Sequence, residues 1–398
     1  MQLIKYLSAM EVHPVPVMVA DLDVPATGLH GFTVIDSLVA GRAMGGTRMT
    51  PTVSRAELAQ LARQMTLKLA LAGLRIGGAK AGIVSELPPG RQRDGQLRSF
   101  GQVVAPLLHG GVYLGTDEGV SYHDRAVIFA AAGYEVAAVG PSQPLPCSWA
   151  TLWDSCADIT GHGVAEATCA AVQQIGIAGR RLRVTIQGFG TVGRGTAKRL
   201  AELDFLVVGV ADRLGTVSSA TGLPLPELLA ATDATGTMHR DLLPSSVTVS
   251  SAPEAWLDVD ADVLVLAASG AALRADNVHR VIARVVVEGA NGPCTDDAIL
   301  ALFAAGVPVI PGIVANCGGA MVTGLVLTGG APAIADTATL VSELYDRVRA
   351  QVRARLVEVF ERAESARRPL PAIAIRMGEE LARGATAEPR PASATQTM

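Results

Sequence analysis

The stretch LRVTIQGFGTVGRGTAKRLAEL, residues 182–203, decides the fold of this chain. A run rich in β-branched residues leads directly into Gly188, Gly190 and Gly193, which have the spacing GxGxxG. A helix-like segment follows, and a second strand-like run, FLVVGVAD, then ends at Asp212. Strands that alternate with helices around such a turn predict a doubly wound α/β sheet.

The glycine turn and the aspartate together predict a dinucleotide site. The glycines permit a tight turn and a close approach of the pyrophosphate, which binds at the positive N-terminus of the following helix. Asp212 lies 19 residues after Gly193, where a carboxylate is expected to accept hydrogen bonds from the adenosine ribose. This favours NAD, while the adjacent Arg213 leaves NADP open. The predicted cofactor residues here are Gly188, Phe189, Gly190, Thr191, Val192, Gly193, Asp212, Arg213, Ala267 and Ala268.

Composition excludes several classes of protein. The chain has 398 residues and a formal net charge of −4, with 49% hydrophobic and 18% charged residues. Such a length predicts two or three domains, and the weak negative charge argues against nucleic-acid binding. The five cysteines show no CxxC spacing and the N-terminus shows no secretion signal, so we expect a reduced cytoplasmic protein without metal sites or disulfides.

An uncharged run over residues 298–335 raises the question of a membrane span. A membrane helix needs about 20 consecutive apolar residues. Here Pro308, Pro311 and Pro332 interrupt the run, as does the pair Gly318–Gly319. These helix breakers predict a buried segment of a soluble domain, which includes its last strand and a turn.

Three charged residues in the N-terminal part are candidates for chemistry. A capping-box spacing at 54–57 starts a predicted helix over 55–72, where Lys68 lies on the apolar face. A lysine there either meets an anion or extends past the helix end to water. Lys80, in IGGAKAGI, is either a desolvated lysine of lowered pKa or a flexible loop lysine. Asp117, in LGTDEGV, lies in a turn where most aspartates only shape the backbone.

Seven motifs in order along about 270 residues resemble the Glu/Leu/Phe/Val dehydrogenase family. The resemblance implies reversible NAD(P)-dependent oxidative deamination of an L-amino acid to a 2-oxo acid and ammonia. It also implies an N-terminal α/β substrate domain and a Rossmann domain. The motifs are GGTRM (45–49), RQMTLKLALAGLRIGGAKAGI (63–83), GTDEG (115–119), TGHGV (160–164), QGFGTVG (187–193), VVVEGANGPCT (285–295) and VIPGIVANCGG (309–319).

The resemblance also implies roles for individual residues. Lys68 matches the lysine that holds the substrate α-carboxylate, Lys80 the catalytic lysine and Asp117 the catalytic aspartate. Under this hypothesis Lys80 polarises water and stabilises the oxyanion, while Asp117 moves a proton to and from the amine. Thr160 and Asn291 match positions near the nicotinamide. The predicted substrate contacts are Lys68, Met44, Gly45, Gly46, Gly115, Asn291, Ala320 and Thr323.

The side-chain pocket departs from the glutamate pattern. The family's glutamate enzymes carry a lysine just before the glycine pair, but this chain has Met44, so a substrate carboxylate would lack its cation. The small residues Ala320 and Gly115 leave space in the substrate pocket, and Thr323 contributes one hydroxyl to it. We therefore expect a branched aliphatic or aromatic substrate, with glutamate or an unusual amino acid as alternatives.

Some features leave other interpretations open. Leu266, Gly312 and Cys317 stand where the family usually has Pro, Asp and Ala, which puts the substrate in question. An alternative from another class is a catalytically silent, NAD-binding paralogue with a regulatory role, but that predicts damage to the catalytic residues, and the sequence shows none. His162, inside TGHGV, is expected to line the cleft or to be exposed, and not to be catalytic.

The predicted organisation has three parts. Residues 1–145 form the substrate, catalytic and oligomerisation domain, completed by C-terminal helices over 336–384. Residues 146–335 form the Rossmann domain, and residues 385–398 are a disordered tail. We expect a homo-oligomer that binds small molecules and neither nucleic acid nor membrane.

Overall fold

The computed structural model of the chain describes residues 15–136, 145–177, 181–268 and 270–387. These residues form two compact units. The N-terminal unit comprises 15–136, 324–330 and 376–387, and the central unit comprises the described residues within 145–323 and 331–375. The predicted boundary at 145 adjoins a gap in the described residues, and most of the predicted tail, 388–398, lies outside them.

The N-terminal unit contains a five-stranded mixed sheet in its described residues, in the order β1-β2-β4-β3-β5. β3 pairs in parallel with β4 and β5, whereas β2 pairs antiparallel with β1 and β4. The strands are β1 (Met18–Val24), β2 (Leu29–Ile35), β3 (Ala43–Thr50), β4 (Gly77–Val84) and β5 (Val112–Thr116). The helices of this unit are α1 (Arg55–Leu71), α2 (Arg91–His109) and α3 (Tyr122–Ala132).

Helix α1 starts where the sequence predicts and packs closely on β4. The Ser54 hydroxyl accepts a hydrogen bond from the Glu57 backbone at 3.2 Å, but the Glu57 carboxylate pairs with Arg48, so only half of the capping box forms. A Cβ added to Gly78 would lie 2.3 Å from the Thr66 nitrogen. IGGAKAGI is therefore a buried strand whose glycines admit the helix, and Lys80 is not a loop residue.

The central unit contains the predicted doubly wound sheet, in the order β12-β11-β10-β6-β7-β8-β9. The first five strands in this order are parallel, and β8 and β9 extend the edge in antiparallel fashion. The strands are β6 (Arg183–Gln187), β7 (Leu206–Asp212), β8 (Gly215–Ser218), β9 (Thr248–Ser250), β10 (Val263–Leu266), β11 (Val285–Glu288) and β12 (Val309–Ile310).

The helices that follow flank this sheet or continue the chain beyond it. The Rossmann turn leads into α6, as the sequence predicts. The helices are α4 (Trp149–Ser155), α5 (Ile159–Gln174), α6 (Thr191–Glu202), α7 (Leu225–Ala230), α8 (Asp296–Ala304), α9 (Gly312–Ala315), α10 (Gly318–Thr328), α11 (Thr337–Ala366) and α12 (Leu370–Ala387).

The uncharged run 298–335 forms most of α8 together with β12, α9 and α10. Gly318 is the first residue of α10. Only glycine fits there, because a Cβ would lie 2.4 Å from the Ile159 carbonyl oxygen of α5. The predicted turn at this point is thus also a helix start in close contact with α5. Among the described residues, no helix is both long and apolar enough to cross a membrane.

A buried carboxylate, Glu166 on α5, ties three helices of the central unit together. Arg199 of α6 donates to its Oε1 at 2.7 Å, and Arg353 of α11 donates to its Oε2 at 2.6 Å. The buried His162 ring packs edge-on against Tyr345, 4.9 Å away, and burial lowers the pKa of His162. His162 is therefore buried, which excludes the exposed placement that the sequence analysis allowed.

These contacts also correct the predicted domain assignment of α11. The apolar row of this helix packs on α5, so 331–375 belongs to the central unit, and of the two C-terminal helices only residues 376–387 join the N-terminal unit. Helical periodicity identifies the buried face of such a helix but not its partner. The buried row is Leu340, Leu344, Val348, Val352, Leu356, Val359 and Ala363.

A second buried carboxyl group, Glu288, ends strand β11. Its Oε2 accepts a hydrogen bond from the Gly312 nitrogen at 2.9 Å, and the Cys294 thiol donates to the same side chain. Burial raises the pKa of Glu288 to about 7, despite these hydrogen bonds. The Glu288 side chain thus connects the backbone after β12 to the end of β11 by a hydrogen bond. Its carboxyl group holds a proton at mildly acidic pH.

Replacing Glu288 with Gln should flatten the pH dependence of stability. The unfolded group ionises near pH 4.5 and the folded one near pH 7, so the folded chain holds an extra proton between these values. The free energy of unfolding should therefore fall as pH rises through this window, by about 3 kcal/mol in total. Above pH 7 this contribution no longer changes.

Tryptophan fluorescence during denaturant unfolding measures this effect, since all three tryptophans lie in the central unit. Glu288→Gln should lose most of the slope between pH 4.5 and 7. Glu343→Gln, on the exposed side of α11, is the matched control and should keep it. Equal slopes in wild type and Glu288→Gln would contradict the prediction.

Candidate active site

A buried ion pair joins the two predicted catalytic residues. Lys80 Nζ lies 2.9 Å from Asp117 Oδ2, and Lys80 is only 4% exposed. Lys80 is on β4, while Asp117 follows the end of β5, so the parallel sheet brings together residues 37 positions apart in the sequence. A potential proton donor that is buried thus meets a potential acceptor whose side chain is 18% exposed.

A third charged residue, Arg48 on β3, completes this group and was not identified from the sequence. Its Nε donates to Asp117 Oδ2 at 3.0 Å, and its guanidinium also pairs with Glu57 and Glu118. Burial alone would raise the pKa of Asp117, but Lys80 and Arg48 outweigh it and hold the pKa below its ordinary value. Arg48 lies within the GGTRM motif, but its partner could not be inferred from local spacing.

The glycine pair before Arg48 is required by close strand packing. A Cβ on Gly45 would lie 1.7 Å from the Ala79 carbonyl oxygen of β4. A Cβ on Gly46 would lie 2.5 Å from the Thr116 oxygen and 2.9 Å from the Asp117 Cβ. No side chain fits at either position without backbone movement, so the pair lets β3 lie directly beside Lys80 and Asp117.

Met44 and Tyr113 form an apolar face next to this group. They lie opposite each other in the register of β3 and β5, and both are buried. Two residues along, Gly46 faces Gly115, and a Cβ on Gly115 would lie 2.7 Å from the Tyr113 ring. The tyrosine thus occupies space that the missing side chain of Gly115 leaves, a role that sequence analysis did not assign.

Lys68, the second of the two cations predicted for this site, is buried in the last turn of α1. A cation near a helix C-terminus is favoured by the helix dipole. Its burial argues against a side chain that simply extends to water. The proposed contact with a substrate carboxylate stays a prediction.

The remaining predicted substrate residues belong to the central unit. The Thr160 hydroxyl accepts from the Gly319 nitrogen at 3.2 Å, next to the start of α10. Ala320 and Thr323 follow three residues apart, so they share one face of that helix. Asn291 accepts at its Oδ1 from the Asn316 amide, 3.3 Å away. The structure thus connects the motifs at 160, 291 and 316–319.

A cavity of about 680 Å³ lies at the carboxyl ends of the parallel strands of the central unit. A Cβ on Gly190 would have open space around it, whereas one on Gly193 would lie 2.0 Å from the Gly188 oxygen. One glycine therefore opens the turn and the other packs helix against strand, which fits a pyrophosphate at the start of α6. The predicted residues that line the cavity are Gly188, Phe189, Gly190, Asp212, Arg213, Ala267 and Ala268.

Asp212 lines this cavity but has other hydrogen-bond partners than expected. Its Oδ1 accepts from the Leu214 nitrogen and from Arg240, and its Oδ2 accepts from the Met238 nitrogen and from Arg240. The side chain is 2% exposed. Because these donors fill the acceptor positions of both oxygens, the carboxylate does not offer the ribose the open acceptor that the sequence predicts.

Two family models match the chain. The model described as Glutamate/Leucine/Phenylalanine/Valine dehydrogenase matches residues 155–380. The model described as Glu/Leu/Phe/Val dehydrogenase, dimerisation domain, matches residues 12–128. The chain belongs to the Glu/Leu/Phe/Val dehydrogenase family. The motif-based resemblance is thereby confirmed, and so is the two-domain α/β fold that it implies.

Similar proteins within this family include glutamate dehydrogenase A2 of Halobacterium salinarum, 35% identical over 296 residues, 71% of this chain and 68% of that protein. The NADP(+)-dependent glutamate dehydrogenase of Pyrobaculum calidifontis is 34% identical over 311 residues, which cover 74% of this chain and 71% of that protein. The structure of the leucine-bound hetero-hexameric glutamate dehydrogenase of Thermus thermophilus is also similar, with a TM-score of 0.77 and 27% sequence identity. The matched region covers 97% of this chain and 95% of the Thermus thermophilus chain.

Membership in the Glu/Leu/Phe/Val dehydrogenase family makes this chain an amino-acid dehydrogenase. Its cofactor is NAD or NADP, since relatives of comparable similarity include an NADP-dependent and an NAD-specific enzyme. The glycine turn and the adjoining cavity fit such a dinucleotide. The roles of individual residues in this family member are tested by the variants below.

Removing either member of the ion pair should abolish turnover. We expect Lys80→Ala and Asp117→Asn to lower kcat by about 10³-fold or more, because each removes a proton-transfer or charge-stabilising group. Affinity for NADH, measured by fluorescence titration, should change by less than about twofold, because the dinucleotide cavity lies in the other unit. Asp94→Asn, on α2, is the control. Near-wild-type rates in either variant would refute the assignment.

Replacing Arg48 should change the pH profile as well as the rate. Arg48→Gln removes one of the two cations that lower the pKa of Asp117, so that pKa should rise. If ionised Asp117 is required, the acid limb of the kcat/KM profile should move to higher pH. Arg55→Gln, whose exposed side chain pairs with Asp21, is the matched control. An unshifted acid limb in Arg48→Gln would contradict this role.

Proposed function

We propose that the chain catalyses reversible NAD(P)-dependent oxidative deamination of an L-amino acid with a branched aliphatic or aromatic side chain. The products are the 2-oxo acid and ammonia, and one water is consumed. The observation that carries the proposed substrate class is Met44, buried beside the catalytic ion pair at the position before the glycine pair.

The proposed chemistry assigns a separate task to each charged residue of the N-terminal unit. The dinucleotide supplies the acceptor for the hydride that leaves the substrate Cα. Lys68 holds the α-carboxylate by charge, and Lys80 polarises the attacking water and stabilises the oxyanion. Asp117, 2.9 Å from Lys80, exchanges a proton with the substrate amine. Arg48 keeps Asp117 ionised and oriented between turnovers.

An apolar substrate fits the charge balance around Met44. A substrate carboxylate buried there without a cation would carry a cost of several kcal/mol. Lys80 and Arg48 do not supply that cation, because both already contact Asp117. Met44 and Tyr113 instead offer a thioether and an aromatic ring, which favour contact with aliphatic or aromatic groups.

Glutamate is the second candidate substrate. It is favoured by the relatives of 34% and 35% identity, which are named glutamate dehydrogenases. The Thr323 hydroxyl on α10 is a polar group that could contact a substrate carboxylate, although a neutral hydroxyl compensates a charge less well than a cation does.

We also infer that the chain assembles into a homo-oligomer. Residues 12–128 match a family model described as a dimerisation domain, and the similar enzyme of Thermus thermophilus is hetero-hexameric. Assembly through the N-terminal unit is consistent with both findings. A reduced cytoplasmic location stays a prediction from cysteine spacing.

Substrate choice is tested with a panel of 2-oxo acids, ammonia and NADH or NADPH. We expect kcat/KM for branched-chain or aromatic 2-oxo acids to exceed that for 2-oxoglutarate by about tenfold or more, since an unpaired buried carboxylate weakens binding. Met44→Lys should raise kcat/KM for 2-oxoglutarate relative to apolar acids, whereas the control Met44→Leu should preserve the wild-type order. A wild-type preference for 2-oxoglutarate would overturn the apolar assignment and favour glutamate.

A further inference from the structure

Two tryptophans of the central unit, Trp149 and Trp153, form an aromatic stack that the proposed chemistry does not use. Their ring centroids lie 5.8 Å apart, and their planes differ by 11°. The two residues are one turn apart on α4, so they share a face of that helix. Both residues are half-buried, and the stacking contact restricts the rotation of the Trp153 indole.

Helix α4 is itself held firmly within the central unit. The Ser148 hydroxyl caps its start by accepting from the Thr151 nitrogen at 3.1 Å, and Leu152, between the tryptophans, is fully buried. Just after the helix, the Cys156 carbonyl accepts from the nitrogen of Ile159, the first residue of α5, at 3.0 Å. The position of the two indoles relative to α5 is therefore set by the backbone.

The tip of the Trp153 ring lies beside the start of α10. A Cβ on Gly319 would lie 3.5 Å from Trp153 Cη2 and 3.0 Å from Thr160 Oγ1. Gly319 and Thr323 are four residues apart on α10, so they share a face, as do Ala320 and Thr323. The indole thus borders the face of α10 that carries the predicted substrate contacts.

The residues of α10 next to the indole are small. Any side chain larger than a methyl group at Gly319 would meet the Trp153 ring, so glycine lets the ring come this close to the helix. Ala320 follows with a single methyl group. The helix therefore leaves the space beside the Trp153 ring to a ligand.

The indole nitrogens give a second indication of a ligand. The Nε1 atoms of Trp149 and Trp153 are buried, and within the part of the chain that the structure describes neither has a hydrogen-bond partner. Buried tryptophans usually find an acceptor, and an unpaired donor destabilises the folded chain. Such departures from local stability are expected at functional sites. Contact between the ring surfaces and a ligand therefore explains the stack better than a contribution to stability does.

We propose that Trp153 is a specificity-determining residue of the substrate site, and that it selects an aromatic side chain over a branched aliphatic one. This proposal rests on the proposed function, because it narrows the substrate class of that same reaction. The indole offers a flat surface against which a substrate ring stacks or packs edge-on, a contact that a branched aliphatic group does not reproduce. Trp149 is a positioning residue, since it acts through the ring of Trp153.

Reductive amination of phenylpyruvate and of 4-methyl-2-oxopentanoate, followed at 340 nm, tests the proposal. We expect the wild-type kcat/KM for phenylpyruvate to be about threefold higher or more, and Trp153→Leu to lower this ratio about fivefold. The loss should lie in the KM for phenylpyruvate rather than in kcat, because the indole contacts the side chain and not the reacting carbon. Trp153→Phe keeps a ring and should keep most of the ratio.

Variants of the neighbouring residues separate recognition from structural damage. Trp149→Leu should lower the ratio about twofold, and Trp149→Phe should restore it, because it preserves the stack. Asp154→Asn, at an exposed position of α4, is the matched control and should leave the ratio unchanged. Affinity for NADH, measured by the fluorescence of the nucleotide, should stay within about twofold of wild type in every variant.

The outcomes distinguish this proposal from the proposed function. A wild-type preference for the branched acid, or an unchanged ratio in Trp153→Leu, would overturn the role of Trp153 while deamination of apolar amino acids stands. If Trp153→Leu fails to bind NADH, the ratio in Trp149→Leu decides in its place. Turnover of neither apolar acid, or a preference for 2-oxoglutarate, would refute the proposed function and this proposal with it.

Discussion

The N-terminal unit is organised around the need to bury a lysine next to a carboxylate. Lys80 is almost fully removed from water, and a lysine in that state needs an anion within hydrogen-bond reach. Asp117 meets this need at 2.9 Å, because it directly follows β5 and only β3 separates that strand from β4. The glycines at 45, 46 and 78 allow β3, β4 and α1 to approach closely enough, since a Cβ at any of them would overlap a neighbouring backbone.

The same pairing explains why the third charge is needed. Burial raises the pKa of Asp117, whereas Lys80 and Arg48 both lower it. With Arg48 added, the balance favours the carboxylate, and Arg48 is itself fixed by Glu57 at the start of α1. The first turn of α1, strand β3 and Asp117 thus form one network. Loss of any member changes the protonation of Asp117 as well as its position.

Local patterns in the sequence predict the parts of this fold that depend on neighbours along the chain. The GxGxxG turn, the strand before it and the helix after it are such parts, and so is the cap at Ser54. The strand character of IGGAKAGI is not apparent locally, because glycine is depleted in strands and only the packing of α1 explains its presence. The same limit hides the assignment of α11 to the central unit, which depends on the distant residue Glu166.

Motifs also predict charges more reliably than they predict what those charges contact. Lys80 and Asp117 were identified through family motifs, whereas Arg48, inside one of those motifs, acquires its role from two separate strands. Asp212 stands at the expected position after β7, but Arg240 neutralises it. A titratable residue in a fingerprint therefore indicates which group is present, and its partner decides whether that group is available to a ligand.

Met44 and Asp212 illustrate opposite cases of this rule. At Met44 the expected cation is absent, and the neighbouring cations cannot replace it, because Lys80 and Arg48 are held by Asp117. At Asp212 the expected anion is present, but a bidentate arginine cancels its effect at the wall of the cavity. A missing charge changes which substrate can be bound, whereas a neutralised charge can be released by changing its partner. Arg240 is therefore the position at which one substitution would change the charge presented to the dinucleotide and leave its glycine turn intact.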